Sequence, residues 1–269
     1  MLNNPTIETL RSLKLHGMAA ALEEQLQNPT HMSLSAEERL GLIVDRERLA
    51  RENGRTTRLL RAAKLKHPQA SVEDIDYRAG RGLDKRLIAV LATGDWIQRG
   101  QGLTLTGKTG TGKSWLLCAL ARQACRQGRS VRYWRLPRLL EELRIAHADG
   151  SYTAFLRKVA KIDLIALDDW GLAPTTPQDR AHLLEILDDR VGAKSTAVIS
   201  QLPVDQWHAY LGEPTLADAI LDRLVHQSHR IALTGPSMRA LNDGLLTPAA
   251  SDRGTAKTAS DKDRKLDAS

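Results

Sequence analysis

Eight consecutive residues, Gly107-Lys108-Thr109-Gly110-Thr111-Gly112-Lys113-Ser114, fill every fixed position of the pattern G-x-x-x-x-G-K-[ST]. Each residue type in it has work to do on a polyphosphate. Glycines let the backbone curl so that successive N–H groups point at phosphate oxygens, the lysine ammonium meets the β- and γ-phosphates, and the last hydroxyl ligates Mg²⁺. Lys113 and Ser114 are therefore expected to hold a nucleoside triphosphate with its Mg²⁺. Further along, the apolar run Leu164-Ile165-Ala166-Leu167 ends in Asp168 and Asp169. At the carboxyl end of a parallel strand both carboxylates emerge at the ligand crevice. There Asp168 is expected in the Mg²⁺ shell and Asp169 as the group that orients or deprotonates the attacking water. Aspartate at this second position reaches less far than the glutamate more usual in such ATPases.

Three further polar residues fit the same chemistry. Ser200 or Gln201, polar at the end of an apolar run, is placed to sense the γ-phosphate or to position water. Arg223 is the candidate finger for a neighbouring subunit's γ-phosphate; its alternatives are an ion pair with Asp218 or Asp222 on its own helix, or an interface contact. Arg239 is a second candidate for a nucleotide-sensing arginine.

The elements that must position these residues alternate. Strands are expected at Gly102–Thr106, Ser130–Trp134, Leu164–Asp169, Ser195–Gln201 and Arg230–Leu233. Helices are expected from Trp115, over 137–148, 152–160, 178–191 and 214–228, with a short one at Pro203-Val204. Strand–helix alternation implies a parallel sheet sandwiched by helices. From about Leu241 the chain is polar, without apolar period, and is expected to be a disordered tail. No room then remains for a full helical lid.

Before the sheet, apolar residues from Ile7 to Leu26 recur three or four apart, predicting one helix over Thr6–Gln27. Ser35 with Glu38 makes a capping box that opens a long helix to about Lys66. Residues 46–66 of that helix hold eight basic and two acidic side chains. Arg48, Arg51, Arg55, Arg58 and Arg61 fall within a sector roughly 140° wide, with Leu42, Leu49, Leu60 and Ala63 opposite. One face is expected to pack and the other to meet phosphates, because arginines with few carboxylates nearby suit a polyanion; a merely solvated face is the alternative. Asp84–Leu91 reads as a short helix, the segment 78–82 as a hinge whose arginines could equally contact DNA, and Trp96 as a packing residue at a domain junction. Three regions follow: a small all-helical DNA-binding or oligomerisation domain (1–95), a nucleotide domain (96–240) and the tail (241–269).

The 269 residues carry a net charge of +7, from 39 basic and 32 acidic side chains, which is compatible with a polyanionic partner without demonstrating one. Cys118 and Cys125 are expected as buried, reduced thiols. No uncharged run approaches the ~20 residues of a membrane span, and no signal peptide is evident, so a soluble, cytoplasmic bacterial protein is expected.

In Leu13-Lys14-Leu15-His16-Gly17-Met18, Glu73-Asp74-Ile75-Asp76-Tyr77-Arg78, the phosphate loop, Leu167-Asp168-Asp169-Trp170-Gly171, Ser200-Gln201-Leu202-Pro203 and the segment Ala217 to Leu224, the chain resembles the IstB-like transposition helper ATPases. These are AAA+ proteins related to the DnaC and DnaI helicase loaders, and the resemblance covers roughly residues 5 to 240. It implies a P-loop AAA+ ATPase that binds double-stranded DNA, assembles as a homo-oligomer with ATP between subunits, and recruits and stimulates a cognate transposase. It carries Lys113, Ser114, Asp168, Asp169 and Arg223 over to their matching roles. A replicative helicase loader is the alternative. A small-molecule kinase is disfavoured, because no acceptor-binding segment or lid is evident.

Overall fold

The computed structural model describes residues 5–77 and 80–238. Its amino-terminal helix is broken in two, α1 (Pro5–Ser12) and α2 (His16–Gln27), where one was expected. Lys14 takes the left-handed conformation (φ 60°), and the Leu15 amide reaches back to Leu10 O at 2.8 Å, a helix-ending arrangement that apolar spacing does not reveal. The amides that open α2 are satisfied from elsewhere. Buried Glu47 accepts from Gly17 N (2.8 Å) and Met18 N (3.2 Å).

Glu47 lies on α3 (Ala36–Ala63), which begins with the expected Ser35–Glu38 capping box and stops because Lys64 is left-handed (φ 49°, ψ 47°). A 3-10 turn (Val72–Asp74) follows, then α4 (Lys85–Ala92), capped by Asp84, and α5 (Asp95–Gln98). Trp96 of α5 is buried, its indole N–H donating to Leu91 O at 2.9 Å. Then come β1 (Gly102–Gly107), α6 (Lys113–Arg126), β2 (Val131–Arg135), α7 (Leu136–Ala148) and α8 (Tyr152–Ala160). The chain continues through β3 (Leu164–Trp170), α9 (Pro177–Asp188), β4 (Ser195–Ser200), α10 (Trp207–Leu211), α11 (Pro214–Val225) and β5 (Ser228–Leu233).

All pairings are parallel and the strand order is β2-β3-β4-β1-β5. Alternate strand residues feed two cores. Leu164 and Ala166 face the layer that holds α6, whereas Ile165 and Leu167 face the layer of α7, α9, α10 and α11. The first layer also takes in Ala63, Ala70, Ile75, Ile88 and Leu91, so residues between α3 and β1 share the sheet's core. The far end of α3 lies along edge strand β2, where Arg132 Nη1 donates to Ala62 O at 3.0 Å. A helix laid there shields the unpaired strand edge.

On α3, Ala63 is buried and Leu60 half-buried, as expected, but Leu42 and Leu49 are each 46% exposed, and Leu40 and Val44 are exposed beside them. The expectation that Leu42 and Leu49 pack is therefore corrected. The buried residue of this half is Glu47, because the closest approach to α2 is centred on it. Among the described residues no helix is long and apolar enough to cross a membrane. Cys118 and Cys125 are buried free thiols, pushed up by burial to about 11 and about 12.

Candidate nucleotide-binding site

A cavity of about 600 Å³ opens where the carboxyl ends of β1, β3 and β4 meet the segment that follows α3. The loop after β1 curls between Gly107 and Gly112 and delivers Lys113 as the first residue of α6, so the unpaired N–H groups of that helix end face the loop. Gly110 shows why a side chain is excluded. It has φ +85°, a Cβ there would lie 2.2 Å from Ser237 Oγ, and its carbonyl accepts from Met238 N at 2.8 Å. Lys113 Nζ donates to Gly107 O (2.5 Å) and Lys108 O (2.8 Å). Burial lowers its pKa, against the opposing pull of Asp168 and Asp169.

Ser114 Oγ donates to Asp168 Oδ2 at 2.7 Å, which brings together two motifs 54 residues apart. Hydroxyl and carboxylate oxygens are the hard ligands that Mg²⁺ takes, so these two residues fit the expected ion. Asp168 is 2% exposed. Burial alone would raise its pKa, but hydrogen bonds from the Tyr133 hydroxyl, from Ser114 and from the Asp169 amide (2.8 Å) outweigh it and hold the carboxyl below its ordinary value. Lys66 Nζ, from the segment after α3, also approaches Oδ2, at 3.4 Å.

Asp169 lines the same cavity but in an unforeseen setting. Its backbone is left-handed (φ 63°) and its carboxylate is ion-paired with Arg135 Nε at 2.5 Å. The bend is clamped behind it by buried Trp170, which lies against Trp207 with ring centroids 5.3 Å apart. Ser200 Oγ is buried and hydrogen-bonded to Trp170 O (2.8 Å) and Leu202 N (3.0 Å). Gln201 is the polar group presented at the loop, its Oε1 accepting from Thr109 Oγ1 at 2.7 Å.

Four neighbours were not singled out for this site by sequence: Tyr133, Lys66, Arg135 and Arg81. Strand alternation could have found Tyr133, which shares a face of β2 with Val131. Arg81, read as a hinge or DNA residue, is 5% exposed and lines the cavity; its Nη2 donates to Asp76 O at 2.5 Å, and its Nε has no partner among the described residues. The DNA alternative is corrected, because the Arg81 side chain is buried against the phosphate loop rather than presented at the surface.

Arg223 does not line this cavity. It pairs with Asp188 on α9, rather than with Asp218 or Asp222, and donates to Ala219 O at 2.8 Å. Arg239 lies outside the described residues, as do Arg78, the expected tail and the stretch on which the absence of a lid was argued. Of the seven arginines on α3, the five expected to meet phosphates, Arg48, Arg51, Arg55, Arg58 and Arg61, are all exposed. Arg48 pairs with Asp45 (3.5 Å) and Glu52 (3.1 Å), and Arg51 with Glu47 (2.7 Å), so the expectation of few carboxylates is corrected at those two positions. Arg55 donates to Gly128 O (2.8 Å) and Arg58 to Gly54 O (3.3 Å); among the described residues neither these two nor Arg61 has a carboxylate partner.

A sequence model described as IstB-like ATP binding protein matches residues 8–244. The "Putative insertion sequence ATP-binding protein y4pL" of Sinorhizobium fredii is 50% identical over 239 residues, 89% of this chain and 97% of that protein. The "Insertion sequence IS1162 putative ATP-binding protein" of Pseudomonas fluorescens is 55% identical over 203 residues, 76% of this chain and 88% of that one. Among solved structures, DnaI is similar with a TM-score of 0.52 at 25% identity, covering 63% of this chain and 90% of that one. That likeness agrees with the five-stranded parallel α/β sheet flanked by helices; in this chain a helical region precedes the sheet.

Proposed function

The chain belongs to the IstB-like ATP-binding protein family, and from that premise we propose that it is the ATP-hydrolysing, DNA-binding helper of an insertion sequence. In this reading it binds ATP with Mg²⁺ at Gly107–Ser114 and assembles as a homo-oligomer on double-stranded DNA. It hydrolyses ATP to ADP and phosphate, and recruits and stimulates the cognate transposase. The observation that carries the reading is the 2.7 Å contact between Ser114 and Asp168 beside Lys113, one point built from two distant nucleotide motifs.

Lys113 would neutralise phosphate charge, Ser114 and Asp168 would hold Mg²⁺, and Gln201 would report on the terminal phosphate from its place against Thr109. When bound, the ion supplies charge neutralisation on the phosphates. Asp169 would orient the attacking water once its carboxylate is released from Arg135. Arg223 would act across a subunit boundary after leaving Asp188, and Arg239 would contact nucleotide from beyond β5. Arg55, Arg58 and Arg61 would meet phosphates of the duplex, joined by Arg48 and Arg51 when these exchange their carboxylate partners.

Lys113→Ala tests the reading. It is expected to abolish ATP-dependent DNA binding and assembly, measured by mobility shift and light scattering; full DNA affinity and assembly in ATP would count against it. The likeness to DnaI favours a helicase loader as a second reading, but it spans 63% of the chain, against 89% for the insertion-sequence relative. A transposase frame beside the gene, between terminal inverted repeats, supports the helper; a helicase or primosome neighbourhood supports the loader.

A further inference from the structure

Asp168 Oδ2 is over-subscribed. Ser114 Oγ donates to it at 2.7 Å, the Tyr133 hydroxyl donates to it, and the Lys66 ammonium stands 3.4 Å away. A carboxylate oxygen offers about two lone-pair sites. Three donors already exceed that, so no divalent ion can approach this oxygen without one of them yielding. Ser114 and Tyr133 are neutral and anchored on core elements, α6 and β2; the Tyr133 ring is buried, and Asp168 itself is 2% exposed. Lys66 makes the longest of the three contacts, its side chain is 37% exposed, and it carries the charge that a divalent ion repels. Lys113, the other lysine of the cavity, is tied to the carbonyls of Gly107 and Lys108 and does not take Lys66's place on the carboxylate.

Resting on the reading that this cavity takes ATP with Mg²⁺, we propose that Lys66 is a built-in competitor of the divalent ion for Asp168, and that it sets the metal concentration at which nucleotide binds. Lys66 is a positioning residue: it acts on the ion through the carboxylate. Its place in the chain makes the competition consequential. It follows the left-handed Lys64 that ends α3, so the cation displaced by the metal lies in the segment directly after the arginine-bearing helix.

The test is a Mg²⁺ titration of fluorescent ATP-analogue binding to the full chain at fixed nucleotide, comparing wild type, Lys66→Met and Lys66→Arg. Removing a partly exposed ion pair is expected to lower the Mg²⁺ midpoint roughly three- to fivefold in Lys66→Met. Lys66→Arg, which keeps the charge, is expected to stay near wild type. A contact that is only structural would lower thermal stability and leave the midpoint where it is. An unchanged or raised midpoint in Lys66→Met therefore overturns the proposal, and Lys66→Gln gives the same reading should the methionine variant fold poorly. Failure of the wild type to bind the analogue at any Mg²⁺ concentration would instead overturn the ATP reading itself.

Discussion

Asp169 is a constrained residue of this cavity. Left-handed backbone costs a side chain energy, and aspartate tolerates it better than most. The Asp169 carboxylate is held by Arg135 at 2.5 Å. An ion pair of this kind, with the arginine side chain 56% exposed, is worth at most about 1 kcal/mol. If Asp169 orients water, Arg135 restrains it. Arg135→Ala is then expected to raise basal ATP turnover by up to about fivefold, with nucleotide affinity little changed. Steady-state phosphate release checks this, and a fall in turnover would assign Arg135 to the chemistry instead.

Two helix junctions depend on residues that do not look structural in the sequence. Gly17 passes so close to α3 that a Cβ would sit 2.6 Å from Glu47 Cα. Gly17→Ala must push the two helices apart, at a cost of roughly 1–3 kcal/mol, seen as a lower denaturant midpoint; no change would mean that the crossing can slide. At the other junction, buried Asp179 caps the start of α9 through Thr176 and receives two hydrogen bonds from Arg144 on α7, at 3.1 and 2.9 Å. Burial raises its pKa, but Arg144 and the Thr176 contacts outweigh that and bring it below 3.8. A folded-state value below the unfolded one contributes stability above pH 3.8 that is lost as the pH falls through the lowered value. Removing the arginine raises the folded-state value, so Arg144→Ala is expected to move acid unfolding to higher pH, followed by circular dichroism. An unmoved acid midpoint would mean that the pair contributes nothing at this helix end.

For the molecule as a whole, the question is how the nucleotide cavity and the arginine face of α3 share one body. Lys66, Asp76 and Arg81, which follow α3 in the chain, line the cavity wall, while Arg55 and Arg132 tie α3 to the loop before β2 and to β2 itself. If that face meets a duplex, the arginines without carboxylate partners should carry most of the salt dependence. Replacing Arg58 and Arg61 by glutamate is expected to weaken DNA binding and to reduce the slope of log affinity against log salt by about two. An unaltered slope would return the helix to a merely solvated surface.

How much of this was legible follows from which forces are local. The phosphate loop, the strand–helix alternation, the Ser35 capping box and the two acidic residues after β3 are short-range patterns in which residue type and backbone conformation determine one another. They specified the parallel α/β sheet and pointed to the loop and the carboxylates that line one cavity at its edge. What only the tertiary structure decided are meetings between segments far apart in the chain. Lys66 lies on a carboxylate 102 residues away, Arg135 on Asp169, Arg223 on Asp188, and Glu47 at the start of a helix 30 residues earlier. The physical reason is that a charged side chain takes whichever partner packing brings within reach. Spacing along a helix can show which arginines share a face, but not which of them are already occupied.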